Sequence, residues 1–488
     1  MTGRQTVVLA VSLIGCGGGC GRTNPLVVVR PHHPPAPLDP EIAPLPEAAG
    51  HWMPDPVYEG RIYVIEAGKE VPGRPPLFLV HGLGEAGVRD FYPVFAQLAR
   101  TRRVVAFDLP GFGRSSRANL AYEPVGYATV LAAVIAAYAN GPVDVLGHSM
   151  GGAVTLQHAG SFPQQVRRLI VVDAAGVLHR EAFVGEQVND VTGIASVLLP
   201  GLTETVRGLA SAVLSEARRY EPPPRLIFQS ELLRQTILRG DPERIAALGL
   251  VLNNFGPALQ SIVAPALIVW GQRDTTASLR TGRLLASRLQ RSRLVVLPGV
   301  GHVPMIDAPA ALVALATAHL EAARPMPITW PPLPAGTAQP VTPPPSQGEG
   351  RCSGEADVRF TGAYDRIVLD HCARAILDGV SVVGQVVMHS SSVELAGATV
   401  SGGIVAMQSN VVATGGRIGG PVALDLDGSR LDLAGVLIDG GPDPIRARGD
   451  SRLLFSVCPV HTASGVVYAH GAQALPAGAA WRVPTSED

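Results

Sequence analysis

The string Gly147-His148-Ser149-Met150-Gly151 joins the β-branched run Val143-Asp144-Val145-Leu146 to a stretch that reads as helix from Ala153 to Ala159 and stops at Phe162-Pro163. A serine at such a strand-to-helix turn projects its hydroxyl above a sheet edge, and the flanking glycines let two backbones approach without Cβ clashes. A serine hydroxyl is a weak nucleophile. Acyl transfer therefore also needs a base beside it, an acid that orients the base, and N–H donors for the developing oxyanion. Candidates for each follow an apolar run: His81-Gly82-Leu83-Gly84 after Leu77 to Val80, Asp274 after Leu267 to Trp270, and His302 on a glycine-rich loop after Leu294 to Leu297. In a chain with 55 glycines the pentapeptide alone carries little weight, and its company gives it meaning.

The elements that must position these residues read as alternating strands and helices. Strands are expected at Leu77 to Val80, Val104 to Phe107, Val143 to Leu146, Leu169 to Val172, Ala266 to Trp270 and Val295 to Leu297, with helices such as Pro124 to Ala139 and Ala308 to Ala322. This alternation predicts an α/β fold with a doubly wound, mostly parallel sheet covered by helices on both faces. The segment from about Val177 to Ile262 interrupts it with helical patterning and reads as an inserted cap.

Through these motifs, and through Asp108-Leu109-Pro110-Gly111-Phe112-Gly113-Arg114-Ser115, residues from about 60 to 323 resemble the α/β-hydrolase fold superfamily. The resemblance implies Ser149 as nucleophile, Asp274 as acid and His302 as base, in that chain order, with the backbone N–H groups of Leu83 and Met150 as the oxyanion hole. It gives Asp108 and His148 architectural or local packing roles. Asp173, after an earlier strand, is a second candidate for the acid, and Asp307 is expected to cap the final helix with Pro309 in its first turn. A serine at the turn leaves out haloalkane and epoxide hydrolysis, for which the family uses aspartate. Ester, thioester or lactone hydrolysis, carbon–carbon bond hydrolysis, aminopeptidase action and acyl transfer remain. The expectation is a carboxylesterase or lipase that works through an acyl-enzyme with no cofactor and no metal. Apolar cap runs at Ile194 to Pro200 and Leu248 to Leu252 suit a small acyl ester or similar apolar substrate. The alternatives are a carbon–carbon bond hydrolase or acyltransferase with the same triad, or a surface binding or scaffold protein whose hydrolase domain is inactive.

Composition narrows the setting. A net charge of −1 and a pI near 6.9 give no basic field for nucleic acid. Lys69 is the only lysine, which argues against serine–lysine chemistry. After Arg4, the apolar run Val7 to Gly15 is too short to span a bilayer and reads as an export signal. Leu13-Ile14-Gly15-Cys16 resembles the lipobox of bacterial lipoproteins, which implies cleavage after residue 15, lipidation of Cys16 and membrane attachment in the cell envelope. Gly17 after the cysteine favours an outer membrane where one exists. Residues 16–50 then read as a Gly/Pro-rich tether, 51–324 as the hydrolase domain and 325–350 as a Pro-rich linker.

Residues 351–488 have another texture, short Val/Ile-rich runs between glycines. The pattern x-G-x-x-aliphatic-x-G recurs around Gly379, Gly397, Gly415 and Gly435, about one coil of a solenoid apart. This smaller all-β region resembles right-handed parallel β-helix proteins of the pectate-lyase-like type, with a small β-sandwich or barrel as the competing reading. Asp370, His371, Asp425, Asp427 and Asp439 suggest an acidic site there, against the plainer reading as turn residues. An attachment module for a cell-envelope polymer is the favoured role. The pairing among Cys352, Cys372 and Cys458 stays open, Cys20 reads as a thiol in the tether, and no Cys-x-x-Cys or His-x-x-x-His grouping with metal spacing appears, which gives no support to a structural zinc site.

Overall fold

A computed structural model describes residues 33–179, 181–182, 224–323 and 345–482. Cys16, Cys20, residues 183–223 of the cap with Ile194 to Pro200, and most of the Pro-rich linker lie outside them. Among the described residues no helix is long and apolar enough to cross a membrane.

Eight strands form one sheet: β1 (Ala49–Pro54), β2 (Arg61–Ala67), β3 (Leu77–Val80), β4 (Val104–Phe107), β5 (Val143–His148), β6 (Val166–Val172), β7 (Ala266–Gly271) and β8 (Ser292–Leu297). Their order is β1-β2-β4-β3-β5-β6-β7-β8. β2 runs antiparallel to both of its neighbours, β1 and β4, and the remaining pairs are parallel. The continuous apolar runs are explained by burial on both faces. Phe78, Val80 and Val145 point into one core with helices α2 (Pro124–Tyr138) and α3 (Met150–Ser161), whereas Leu77, Leu79 and Leu146 point into the other with α1 (Tyr92–Ala99).

The cap contributes α4 (Pro224–Gln229), α5 (Glu231–Leu238), α6 (Pro242–Leu252) and α7 (Gly256–Ser261). Its Phe228, Ile245 and Leu250 join the first core instead of forming a separate one. After the cap come α8 (Leu279–Arg288), α9 (Pro304–Asp307) and α10 (Pro309–Glu321).

The tether expected over residues 16–50 differs at its end. From residue 33 the chain lies against the sheet: Ala36 N–H donates to Gly50 O at 2.8 Å, Tyr63 donates to Pro37 O at 2.7 Å, and Ile42 is buried in the second core. Proline-rich composition favours extended backbone, and extended backbone also serves as a strap when apolar side chains such as Ile42 punctuate it.

The C-terminal region is a short parallel β-helix. One parallel sheet takes Glu349–Ser353, Arg366–Asp370, Val386–His389, Ile404–Met407, Leu424–Asp427 and Ile445–Ala447 from successive coils. Two further rows of parallel strands, which meet in Ser451–Thr462, complete each coil. The register pairs Ile367 with Val386, Val386 with Ile404 and Ile404 with Leu424, so like side chains stack along one interior.

At one corner the coils are joined by a buried ladder. The N–H of Ser391 donates to Ser409 Oγ at 3.1 Å, that of Ser409 to Ser429 Oγ at 3.1 Å, and that of Ser429 to Ser451 Oγ at 3.2 Å. Each hydroxyl in turn donates to the carbonyl two residues before it, so each of these serines both accepts and donates at the corner. Gly465–Leu475 folds back antiparallel on Ser451–Thr462 and closes the last coil. The disulfide is Cys352–Cys372, between the first two coils, and Cys458 is a buried free thiol.

The β-helix packs on the α/β domain through α7 and α8. Ala434, Leu454 and Val457 are part of the first core, and Arg280 reaches from α8 to Thr414 and Asp432. His470 lies edge-on to His179 across this contact.

Burial pushes four imidazoles down from the ordinary 6.5: His148 and His470 to about 3, His158 and His319 to about 4. Each binds its proton more weakly folded than unfolded. The stability they contribute is therefore complete above pH 6.5 and is lost as pH falls towards 4. Urea unfolding at pH 7 and pH 5 is expected to show a loss on the order of 1 kcal/mol or more per pH unit. A flat profile across that window would contradict the burial of these rings.

Candidate active site

The serine turn is built by a close approach that only glycine permits. Ser149 has φ 53°, a positive value rare for a non-glycine residue, and its N–H donates to Val172 O at 3.0 Å. A Cβ on Gly151 would sit 2.0 Å from Val80 O, so α3 can start directly over the end of β3 only with glycine there. Likewise a Cβ on Gly82 would sit 2.9 Å from Ser149 Cβ, which places the His81 to Gly84 loop against the serine. Met150 opens α3, where the first amides have no acceptor within the helix.

Three residues far apart in sequence meet at this turn. His302 Nε2 lies 3.0 Å from Ser149 Oγ, and its Nδ1 lies 2.8 Å from Asp274 Oδ2. The Asp274 side chain is fully buried and that of His302 is 18% exposed. The other oxygen of Asp274 accepts the N–H groups of Thr276 and Ala277, each at 2.8 Å. Burial by itself would raise this carboxyl, but the His302 hydrogen bond and charge, with the backbone donor of Ala277, carry it below the usual carboxylate range.

The loops bearing Asp274 and His302 are knitted together. Gln272 N–H donates to Leu297 O and Arg273 N–H to Val300 O. His148 Nε2 lies 2.7 Å from His302 O, so the buried neutral ring donates to that carbonyl and holds the loop. Asp307 does not cap the final helix as expected. Ala308 is the N-cap of α10, with no side-chain cap bond, and the Asp307 carboxylate accepts Gly301 N–H at 3.0 Å, beside His302. The six-residue return from Gly301 to Asp307 through α9 brings it there. Pro309 does open α10.

Asp108 is architectural: its two oxygens accept the N–H groups of Val88 and Arg114, each at 2.7 Å. His81 accepts Leu109 N–H at 2.9 Å through Nε2, which fixes that loop beside the serine.

Asp173, the second candidate for the acid, does not reach the imidazole. It has φ 44°, accepts Gly271 N–H at 2.8 Å through Oδ1, and has a buried Oδ2 that no N–H reaches. Desolvation, with the neighbouring Asp274 charge, pushes it up to about 9. Both causes favour the protonated form of Asp173 beside the Asp274 carboxylate. Local sequence shows a strand-end aspartate but not this partnership, which depends on β6 and β7 lying side by side.

Keeping Asp173 protonated costs stability at every pH above the unfolded value near 3.8. Asp173→Asn keeps a donor towards Asp274 and removes the titration. It is expected to raise the unfolding free energy by about 1–3 kcal/mol at pH 7.5, with the gain shrinking towards pH 4. Denaturation at the two pH values measures it, and a less stable variant at pH 7.5 would refute the assignment.

The sheet order, the serine turn after β5 and the loop positions of Asp274 and His302 define a domain with the α/β-hydrolase fold. Residues 77–315 match the family model described as "Alpha/beta hydrolase family". Lipase 3 of Moraxella sp. (strain TA144) is 28% identical over 243 residues, 48% of this chain and 73% of that protein. The 2-hydroxy-6-oxo-2,4-heptadienoate hydrolase of Pseudomonas putida is 29% identical over 241 residues, 48% of this chain and 84% of that one. Among solved structures, a membrane phospholipase A described as a bacterial virulence factor is 26% identical, with a TM-score of 0.42, covering 56% of this chain and 86% of its own.

Proposed function

We propose that the protein is a serine hydrolase of carboxylic esters with apolar acyl groups, exported and held to a membrane through a lipidated Cys16. The observation that carries the chemistry is the imidazole of His302 bridging Ser149 Oγ at 3.0 Å and Asp274 Oδ2 at 2.8 Å. His302 Nε2 takes the Ser149 proton as Oγ attacks the ester carbonyl, and Asp274 orients and stabilises the imidazolium. The N–H groups of Leu83 and Met150 receive the oxyanion, each contributing on the order of 3 kcal/mol in the transition state. Nε2–H then protonates the leaving alkoxide, and a water activated by the same ring releases the acid from the acyl-enzyme. The lipase among the relatives and the apolar cap residues support an ester with an apolar acyl group.

A fluorophosphonate probe is expected to label the folded chain at Ser149. Absence of labelling, with a control hydrolase labelled in parallel, would overturn the chemistry. For the anchor, labelled palmitate is expected to enter the wild type and not Cys16→Ala, and equal incorporation in both would overturn lipidation at that residue.

A further inference from the structure

We propose that Asp370, His371 and His389 form a binding site for a divalent transition metal of the zinc type on one edge of the β-helix. Asp370 ends one strand and His389 ends the strand of the next coil, and the two are register partners. His371 follows Asp370 at a corner with φ 54°, and its N–H donates to His389 O at 2.9 Å. The chain thus delivers three ligand side chains to one spot from two adjacent coils.

Both imidazoles present Nδ1 to the same carboxylate oxygen. Asp370 Oδ1 lies 2.7 Å from His371 Nδ1 and 3.1 Å from His389 Nδ1, and the three ligand atoms all fall within 4.8 Å of one another. Ligand atoms around tetrahedral zinc stand about 3.3 Å apart, given bonds of about 2.0–2.1 Å. Side-chain shifts of under about 1 Å therefore suffice to place an ion between them. The rings stand at 81° to each other, so their lone pairs can converge on one point without a ring clash. Two imidazoles and a carboxylate are a borderline donor set that suits zinc, nickel or copper better than calcium or magnesium.

The scaffold beneath is stiff. Cys372, next to His371, is tied to Cys352 by the disulfide and donates its N–H to Ser391 Oγ at 3.0 Å. All three side chains are 41–62% exposed, which leaves the remaining coordination positions to water. The other cluster of this kind among the described residues, Cys352, Glu355 and Cys372, has both sulfurs committed to the disulfide. A contiguous motif cannot show the site, because its ligands are one coil apart in sequence. By bridging two coils, the ion would stabilise the start of the β-helix, since metal bound only by the folded state adds to its stability.

The test uses the full chain, stripped with EDTA and dialysed. Titration with zinc chloride by calorimetry is expected to show one site whose affinity falls at least tenfold in His389→Ala and again in the His371→Ala/His389→Ala double variant. Zinc is also expected to raise the melting temperature of the wild type and not of the double variant. The exposed positions keep both variants folded, which circular dichroism checks. Cobalt(II) absorption in the visible range reports the same site independently. No zinc binding tighter than about 1 mM in the wild type, or equal binding in the double variant, would overturn the proposal. Neither result bears on the Ser149 chemistry.

Discussion

Replacing Ser149 by alanine is expected to lower kcat for aryl ester hydrolysis by about 10⁴–10⁶ while leaving KM within a fewfold of wild type. Alanine removes only Oγ, and the turn that holds it depends on Gly151, Gly82 and the backbone bond to Val172, none of which the substitution touches. His302→Ala should cost about as much, because without Nε2 the serine stays protonated. The Ser149→Ala/His302→Ala double variant should be no worse than either single one, as expected for residues that act in one step. A panel of aryl esters of increasing acyl length measures the effect and the size of the acyl pocket together. Retention of more than about a tenth of the activity in Ser149→Ala would place the chemistry elsewhere.

The second large effect concerns the joint between the two folded parts. Arg280→Ala is expected to destabilise the protein by about 3–5 kcal/mol. The Arg280 side chain is 7% exposed and that of Asp432 is 19% exposed. Its guanidinium donates to both oxygens of Asp432, at 2.8 and 2.9 Å, to Thr414 Oγ1 at 2.8 Å and to Ala413 O at 3.1 Å. Truncation strands a mostly buried carboxylate without its guanidinium partner, and that loss exceeds the net worth of the pair itself. Accordingly Arg280→Met/Asp432→Leu should lose less than Arg280→Ala alone. Urea unfolding of the wild type and the two variants decides the matter, and a loss below about 1 kcal/mol in Arg280→Ala would show that the interface does not depend on this contact.

This joint was not legible in the sequence. The Pro-rich stretch after residue 325 reads as a separator between independent modules, whereas the β-helix shares apolar core with the hydrolase domain through Ala434, Leu454 and Val457. Composition reports how a linker behaves along the chain and nothing of which surfaces meet across it. The same limit applies to the polar residues of the β-helix. Asp425, Asp439 and Asp370 do not converge: Asp425 pairs with Arg446 and Arg448, Asp439 with Arg417 and His461, and Asp370 with the two histidines.

The parallel strands were legible because burial on both faces demands uninterrupted apolar runs, and Leu77 to Val80 or Val104 to Phe107 can be little else. The antiparallel pair β1 and β2 was not: Ile62 to Ile65 is a continuous apolar run, but its partner Ala49 to Pro54 is mixed in polarity and only partly buried, so nothing local announces the pair.

By itself the sequence determined the local chemistry: a serine between glycines at a strand-to-helix turn, a histidine and an aspartate on loops after late strands, and a glycine repeat of about one coil. These are legible because each is dictated by the backbone within a few residues. Tertiary structure alone decided that Asp173 lies behind the Asp274 carboxylate and not against His302, which cysteines pair, and that Asp370 meets His389. Those choices depend on strand neighbours and coil register, which bring together side chains separated by 19 to 153 residues, and no local pattern encodes such distances.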